Sequence, residues 1–410
     1  MDRTIGARIP AYVRAVTDAL AAAGHRGYLV GGSLRDLLRG VAPHDYDLTT
    51  DATPDEMLAV FASFRVIPTG LKHGTLTVLS EGQPVEVTTH RVDGGYTDGR
   101  HPDRVSFTRR LADDLSRRDF TVNAMAYSDQ TGLVDLFDGQ GDLARGIIRA
   151  VGDPATRFSE DALRILRAYR FSAQLNFALE DATAAGARAV RAGLSQVSAE
   201  RIFSELARLL AAPAAARGMQ GLLDADLAPL VFGDLVPARE MLVHLDALAP
   251  RSEVRLAALL GDYGEDALYA LCRRLKTPNA FADALVGTVC AARAPLPDSP
   301  YAARHFAHRY WGVWQDGLAV AAARGVAVEQ ASELCRRVVR ENSVIEVRRL
   351  AVNGRELQEQ LGVCPAQTGA LLQRLQDFVF ADPTRNKKAT LLARAAEICE
   401  KEKGYVSSSV

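Results

Sequence analysis

A change of period near residue 155 constrains this chain more than any other feature. Up to about residue 130, short β-type runs alternate with brief helical stretches. From about residue 155 the apolar spacing is helical almost throughout, and Ala, Leu and Arg dominate. The chain therefore reads as α+β: a small mixed sheet with a few helices, then a long helical part. Ile9, Val13, Val16 and Leu20 predict a helix over 8–24, with Gly24 as its stop. Tyr28-Leu29-Val30 reads as a strand ended by Gly31-Gly32, and a short helix runs from Ser33 to Arg39, closed by Gly40. Asp45 to Thr49 alternates as a strand. Thr53-Pro54-Asp55-Glu56 is a helix start, with Thr as cap, Pro at the first position and Glu three residues after the cap. Three β-rich runs follow at 65–67, 75–79 and 84–89. Val151-Gly152-Asp153-Pro154 marks the hinge between the two parts, and Pro-bearing breaks near Pro237, Pro250, Pro278 and Pro295 to Pro300 divide the helical part.

Composition excludes several classes. Of the 410 residues 48% are hydrophobic and 24% charged, which rules out wholesale disorder and collagen-like repeats. No apolar run approaches the roughly 18 residues of a membrane helix, so no membrane partner is expected. The start, MDRTIGARIPAYVRAV, has no apolar core before a small-residue cleavage site and reads as carrying no secretion signal. Cys272, Cys290, Cys335, Cys364 and Cys399 are scattered, without a CxxC pair. They argue against a disulfide framework or zinc module and point to the cytoplasm. The net charge of −1 hides local excesses. Residues 100–118 hold six Arg against three Asp, a net of +3. Residues 145–170 hold six Arg against Asp153, Glu160 and Asp161, again +3. Arginine suits bidentate phosphate contact.

The sharpest local signal is Gly31-Gly32-Ser33-Leu34-Arg35-Asp36 followed by Asp45-Tyr46-Asp47. On a strand, residues i and i+2 share a side, so Asp45 and Asp47 present two carboxylates together. Two such charges are costly unless a cation neutralises them, and oxygen-seeking Mg²⁺ suits the pair. Glu86, in Val85-Glu86-Val87, offers a third carboxylate if the strands are neighbours. Three carboxylates can clamp two ions for in-line displacement at phosphorus. The Gly31-Gly32 turn lets a triphosphate approach backbone N–H groups at the helix start, and Arg35 adds a charged contact.

GGSLRD…DYDLTT resembles the first motif of the polymerase-β-type nucleotidyltransferases, in the class II branch of bacterial tRNA CCA-adding enzymes and poly(A) polymerases. Arg117-Arg118-Asp119-Phe120-Thr121-Val122-Asn123-Ala124 resembles the branch's RRDFTxNA motif, and Glu160-Asp161-Ala162-Leu163-Arg164 its EDxxR motif, continued by Arg167 and Arg170. Asn353-Gly354-Arg355-Glu356-Leu357 resembles the NGxDL segment of the tail. The resemblance implies a catalytic head over 1–150, a nucleotide-selecting neck over 151–215, a helical body over 216–335 and a helical tail over 336–410. It implies metal-dependent addition of CCA to tRNA 3′ ends from CTP and ATP. An A-adding specialist and a poly(A) polymerase are the alternatives, and no protein partner is named.

The resemblance also assigns roles. Asp119 and Asn123 contact the ribose and Arg118 the triphosphate; Asp119 also reads as the cap of a helix over 120–128. Asp161 and Arg164 lie three apart on a helix starting near Ser159, so they share a face. An acceptor beside a donor matches the Watson–Crick edges of cytosine and adenine and mismatches guanine and uracil. Glu160 then holds Arg164 in place. Residues 91–110, rich in Gly and turn formers, read as the family's mobile loop, which CC-only enzymes shorten. Thr69-Gly70-Leu71-Lys72-His73-Gly74-Thr75 resembles the tGxxHGT segment of CCA-adding enzymes, with His73 structural. Residues 255–266 look like a remnant of the HD phosphohydrolase signature, with Gly261 where the metal-binding His would be, leaving Asp262 and His244 without it. Residues 176–410 would carry the tRNA to its elbow by shape and phosphate contact. Candidate contacts are Arg273, Arg274 and Lys276; Arg336, Arg337 and Arg340; and Lys387 and Lys388. Tyr301, His305, His308, Tyr310 and Trp311 read as core packing rather than RNA stacking.

Overall fold

The computed structural model describes residues 5–94, 104–344 and 346–407. They fall into two compact units: residues 1–246 with 250–252 and 271–277, and residues 247–249, 253–270 and 278–410.

The first unit begins with α1 (Ala11–Ala22), which buries Val13, Val16 and Leu20 as its spacing predicts. β1 (Gly27–Val30) runs straight into α2 (Gly31–Leu38), two residues ahead of the expected start. Gly31 makes that junction at φ +69°, a conformation glycine adopts without strain. β2 (Asp47–Thr50) leads to α3 (Pro54–Val60). There the Thr53 hydroxyl accepts from the Glu56 N–H, and the Glu56 carboxylate accepts from the Thr53 N–H at 2.8 Å. β3 (Arg65–Gly70), β4 (Thr75–Ser80) and β5 (Gln83–Thr89) match the three β-rich runs. Then come β6 (Arg91–Gly94), β7 (Arg104–Phe107), α4 (Leu111–Ser116), β8 (Met125–Ser128), β9 (Gly132–Asp135) and α5 (Gly139–Arg145).

Seven strands form one mixed sheet in the order β3-β4-β5-β2-β1-β8-β9. Its parallel pairing is β2 with β5, which sets Asp47 opposite Glu86. One face of the sheet, with Leu29, Leu48, Leu76, Val78, Val85 and Val87, packs with Val13, Val16 and Leu20 of α1 and with Met57 and Phe61. Such burial stabilises by about 25 cal/mol per Å² of apolar surface removed from water.

Four expectations need correction. The strand expected from Asp45 begins at Asp47, and Asp45 sits in a bend, because the ladder with β5 reaches back only to the Tyr46 carbonyl. No helix spans 120–128: Thr121–Asn123 form a single 3₁₀ turn and Met125–Ser128 are β8. β8 lies between β1 and β9 with Met125, Ala126 and Tyr127 all buried, and a strand covered on both faces loses the alternation that marks one. The helix expected through Ser159 to Arg164 is two helices, α6 (Pro154–Glu160) and α7 (Leu163–Leu175). Asp161 between them is extended (φ −143°, ψ 104°), and its own carboxylate accepts the Leu163 N–H at 3.1 Å. The loop over 91–110 is framed by an antiparallel ribbon, β6 with β7, and its residues 95–103 lie outside the described residues.

The chain turns at Gly152 (φ +73°), where a hinge between the two parts is expected, and the residues on both sides of it belong to the first unit. One short parallel pair, β10 (Ile147–Ile148) with β11 (Ala178–Leu179), interrupts the helical part. The unit continues through α8 (Asp181–Ala189), α9 (Ala199–Leu210), α10 (Ala215–Asp224), α11 (Ala228–Phe232) and α12 (Leu242–Leu245). The second unit is helical: α13 (Ser252–Leu260), α14 (Glu265–Leu275, whose last turn belongs to the first unit), α15 (Asn279–Arg293), α16 (Pro300–Arg309), α17 (Trp314–Ala323), α18 (Glu329–Arg340), α19 (Gly354–Leu361), α20 (Pro365–Ala381) and α21 (Lys388–Ser407). It holds two cores, one around Phe306 and Leu318, the other around Leu375 and Phe380. Among the described residues no helix is long and apolar enough to cross a membrane.

Thr53→Ala removes half of the α3 capping box, at a cost of about 1 kcal/mol. The urea midpoint followed by circular dichroism should fall accordingly. An unchanged midpoint would show that the cap contributes nothing.

Candidate active site

The carboxylates come first. Asp47, at the start of β2, stands beside Glu86 of β5, and exposed Asp45 lies just ahead of it. The Asp47 N–H donates to the Ser33 hydroxyl, which itself donates to the Val30 carbonyl at 2.8 Å. Burial, then the charges of Asp45 and Glu86, push the Asp47 carboxyl up to about 6, against the pull of Arg118. Ionised at neutral pH, this group is short of positive charge. Its neighbours are hard oxygen donors, the set a divalent cation prefers. Among the described residues no three His, Cys, Asp or Glu side chains form a closed metal cage.

The turn after β1 borders the same corner. A Cβ on Gly31 would come 3.4 Å from Arg118 Nη1 and 3.7 Å from Asp47 Oδ2, so glycine keeps that space open. Arg35 is buried, and its fork is engaged: Nε and Nη2 donate to Asp36 at 2.9 and 3.0 Å, and Nη1 to Asn123 Oδ1 at 2.8 Å. Arg35 still lines the cleft. Asn123 in turn donates Nδ2 to Asp119 Oδ1 at 3.4 Å, which settles the amide's orientation. Asp119 Oδ1 also accepts the Phe120 N–H, and Oδ2 accepts Arg167 Nε at 2.8 Å. Burial alone would push the Asp119 carboxyl up, but Arg167 above all, with Arg164 and Asn123, holds it at about 2.

The helical wall supplies the remaining groups. Glu160 pairs with Arg164 and with Arg157, and Arg164 also donates to the carbonyls of Arg157 and Arg117 at 3.1 Å. Asp161 Oδ2 accepts Arg201 Nη2 at 2.7 Å. Arg170 is held by Glu205 at 2.5 Å and by Gln174 at 2.7 Å, and its guanidinium lies 3.9 Å over the Phe171 ring. Gly31, Gly32, Arg35, Asp45, Asp47, Glu86, Arg118, Asp119, Asn123, Asp161, Arg164, Arg167 and Arg170 all line one cleft of about 820 Å³. Glu160 stands behind it.

Residues that sequence reasoning missed also line this cleft or brace it. Arg201, Glu205 and Arg208 occupy i, i+4 and i+7 of α9, one face of that helix. The charged stripe, with an acidic residue buried to 5% exposure, was the available signal. Asp114, fully buried, braces Arg117 and Arg118.

The other candidates are not among the residues that line the cleft. Arg274 donates to the Val231 carbonyl, Lys276 pairs with Glu200 at 2.8 Å, and Lys388 pairs with Glu356. Arg273, Arg336, Arg337, Arg340 and Lys387 are exposed. His305 and His308 pack edge-on against Phe380, whereas Trp311 is exposed. His73 closes the 3₁₀ turn before Gly74. Gly261 leaves no room for a histidine: a Cβ there would sit 2.9 Å from the Ala257 carbonyl, and Asp262 pairs with Arg324 at 2.6 Å.

A mixed sheet with a carboxylate pair beside a glycine turn, walled by arginines, defines a nucleotidyltransferase. Residues 27–149 match the poly A polymerase head domain, and residues 176–238 match the probable RNA and SrmB-binding site of polymerase A. The chain is 36% identical over 395 residues to the CCA-adding enzyme of Levilactobacillus brevis, covering 94% of this chain and 97% of that one. It superposes on the Bacillus stearothermophilus CCA-adding enzyme in complex with CTP at a TM-score of 0.83, with 30% identity over 96% of this chain and 98% of the other. The Thermotoga maritima CCA-adding enzyme complexed with tRNA shares the fold (TM-score 0.71, 19% identity, 97% and 98% covered). The chain belongs to the family of CCA-adding enzymes, the tRNA nucleotidyltransferases, which generally need a divalent metal.

The raised Asp47 pKa has a sign. A carboxyl bound more tightly to its proton when folded costs stability as pH rises from about 4 through about 6. Without metal, Asp47→Asn should therefore raise the melting temperature at pH 7.5 and leave it unchanged near pH 4. Mg²⁺ should stabilise the unaltered protein more at pH 7.5 than at pH 5. Equal shifts at both pH values would contradict this.

Proposed function

We propose that this enzyme adds CCA to tRNA 3′ ends from CTP and ATP without a nucleic-acid template. The observation that carries the reading is one cleft lined by the carboxylate pair, the Arg118 fork, the Asp119–Asn123 pair and the Asp161–Arg164 pair. Its relatives, CCA-adding enzymes with CTP, ATP and tRNA complexes among them, support it.

Asp45 and Asp47 are the residues to hold Mg²⁺, with Glu86 as the third carboxylate; the bound cation would neutralise the phosphates and favour the ionised 3′-hydroxyl. Gly31 and Gly32 leave the backbone open to the triphosphate, and Arg118, Arg167 and Arg170 supply positive charge. Asp119 and Asn123 meet the ribose, with Arg35 fixing the Asn123 amide. Asp161 accepts from the exocyclic amine of cytosine or adenine, and Arg164, held by Glu160, donates to the adjoining ring nitrogen. Although the two residues are not on one continuous helix, both side chains reach the cleft. The 3′-hydroxyl attacks the α-phosphate in line and pyrophosphate leaves.

In this reading residues 1–150 are the catalytic head, 151–215 the nucleotide-selecting neck, 216–335 the body and 336–410 the tail. The body and tail hold the tRNA as far as its elbow through exposed cations such as Arg273 and Lys387, with Arg274, Lys276 and Lys388 as weaker candidates because each already has an internal partner. The site of action is the cytoplasm.

Single-nucleotide extension tests the proposal. Transcripts ending before CCA, after C and after CC are offered each NTP separately and CTP with ATP together. All three should reach CCA and stop. A single A added only to the CC-ended transcript would make this an A-adding enzyme, and long A tails would make it a poly(A) polymerase. Asp45→Ala or Asp47→Ala should abolish transfer and leave tRNA binding intact. A variant with the unaltered rate would remove that carboxylate from the site.

A further inference from the structure

Asp114 is not among the residues that line the cleft, and it is fully buried on α4. Yet it grips two cations of the RRDFT segment. Its Oδ1 accepts Arg117 Nε at 3.0 Å and Nη2 at 2.6 Å; its Oδ2 accepts Arg118 Nη2 at 3.1 Å and the Thr49 hydroxyl at 3.3 Å. Thr49 follows Asp47 by two residues on β2. The Thr49 hydroxyl also meets His90 Nδ1 at 2.8 Å. The carboxyl stays ionised: burial pushes it up, and Arg118 and Arg117 bring it down to about 2.

Arg118 has two carboxylates to choose between. Its Nη1, which donates to the Asn123 carbonyl at 3.5 Å, borders the same small space over Gly31 as the Asp47 carboxylate, while its Nη2 is tied to Asp114. Its Nε is buried without a hydrogen-bond partner among the described residues. A guanidinium freed from Asp114 would settle on Asp47, since an opposite charge close by favours the ionised carboxyl there. It would then cover the metal corner and withdraw from the triphosphate.

The same turn supports the neck. The carbonyls of Ser116 and Arg117 accept from Arg157 at 2.7 Å and Arg164 at 3.1 Å. On the other side, Thr108 at the foot of the β6–β7 ribbon donates to Asp113 at 2.8 Å, and its N–H donates to the His90 carbonyl.

We propose that Asp114 is a positioning residue for the nucleotide triphosphate: it holds Arg118 over the Gly31–Gly32 turn and keeps it off Asp47. This rests on the reading of Arg118 as a triphosphate contact, and the test separates the two. Addition of A to a CC-ended transcript is followed with ATP varied, for Asp114→Asn, Arg118→Ala and the double variant. Asp114→Asn should raise the KM for ATP about tenfold, the size expected for a hydrogen bond to a charged group, with a smaller fall in kcat. The Mg²⁺ needed for half activation should rise with it, and the tRNA dissociation constant should not move. In the Arg118→Ala background Asp114→Asn should add less than about twofold, because it acts through a side chain already gone.

Full multiplication of the two effects, or a fall in kcat at constant KM, overturns the positioning role. A normal KM in Arg118→Ala overturns the triphosphate reading and this proposal with it. A raised KM in Arg118→Ala beside an unaltered Asp114→Asn overturns this proposal alone. If Asp114→Asn does not fold, Arg118→Lys keeps the charge and loses the planar fork that Asp114 holds. It should raise the KM similarly, and an unaltered KM there overturns the proposal.

Discussion

The Asp119–Arg167 ion pair joins the sheet to the helices that face it. Asp119 lies in the segment that leads into β8, and Arg167 is on α7. One Asp119 oxygen takes Arg167 at 2.8 Å; the other takes the Phe120 N–H and the Asn123 amide. Arg167 also approaches Glu205 of α9, which grips Arg170. A single line of hydrogen bonds and ion pairs thus runs from Arg35 of α2, through the Asn123 amide, Asp119 and Arg167, across to Glu205 of α9. The cleft exists because this line holds its two walls at a fixed separation.

Such a line is an expensive way to join two layers. Each charge taken from water costs several kcal/mol, recovered only where the pairing is close and the remaining hydrogen bonds are satisfied. Apolar residues would join the layers as well. What they would not do is present cations to the cleft. Four arginines of this cleft are paired with carboxylates: Arg118 with Asp114, Arg164 with Glu160, Arg167 with Asp119 and Arg170 with Glu205. The acceptor Asp161 has the reverse arrangement, with Arg201 behind it. Side chains held this way are already oriented, so a ligand entering the cleft would not have to order them.

Much of the site was legible in the chain itself. The glycine turn, the paired aspartates, the RRDFT segment and the EDxxR segment each announce their chemistry within a few residues. Their supports were not legible. Arg201 lies 40 residues beyond Asp161, and Arg167 lies 48 beyond Asp119. No local spacing connects such pairs. The segment 120–128 misled for a related reason: a strand buried on both faces is an unbroken apolar run, and periodicity alone cannot separate that from a helix. The break at Asp161 was hidden too, since a side chain that caps the next helix leaves the helical spacing almost intact.

The sequence by itself determined which chemical groups the enzyme owns and how they are ordered along the chain: the carboxylates Asp45 and Asp47, the glycines that open α2, the arginine clusters, and the family to which they belong. Short-range rules govern those features, because caps, turns and strand alternation involve residues a few places apart. Tertiary structure alone decided the partners. The register of β2 against β5 sets Glu86 beside Asp47, and the crossing of α9 over α7 sets Glu205 on Arg170. The reason is physical: a hydrogen bond or ion pair depends on distance through space, and only the packed fold sets that distance.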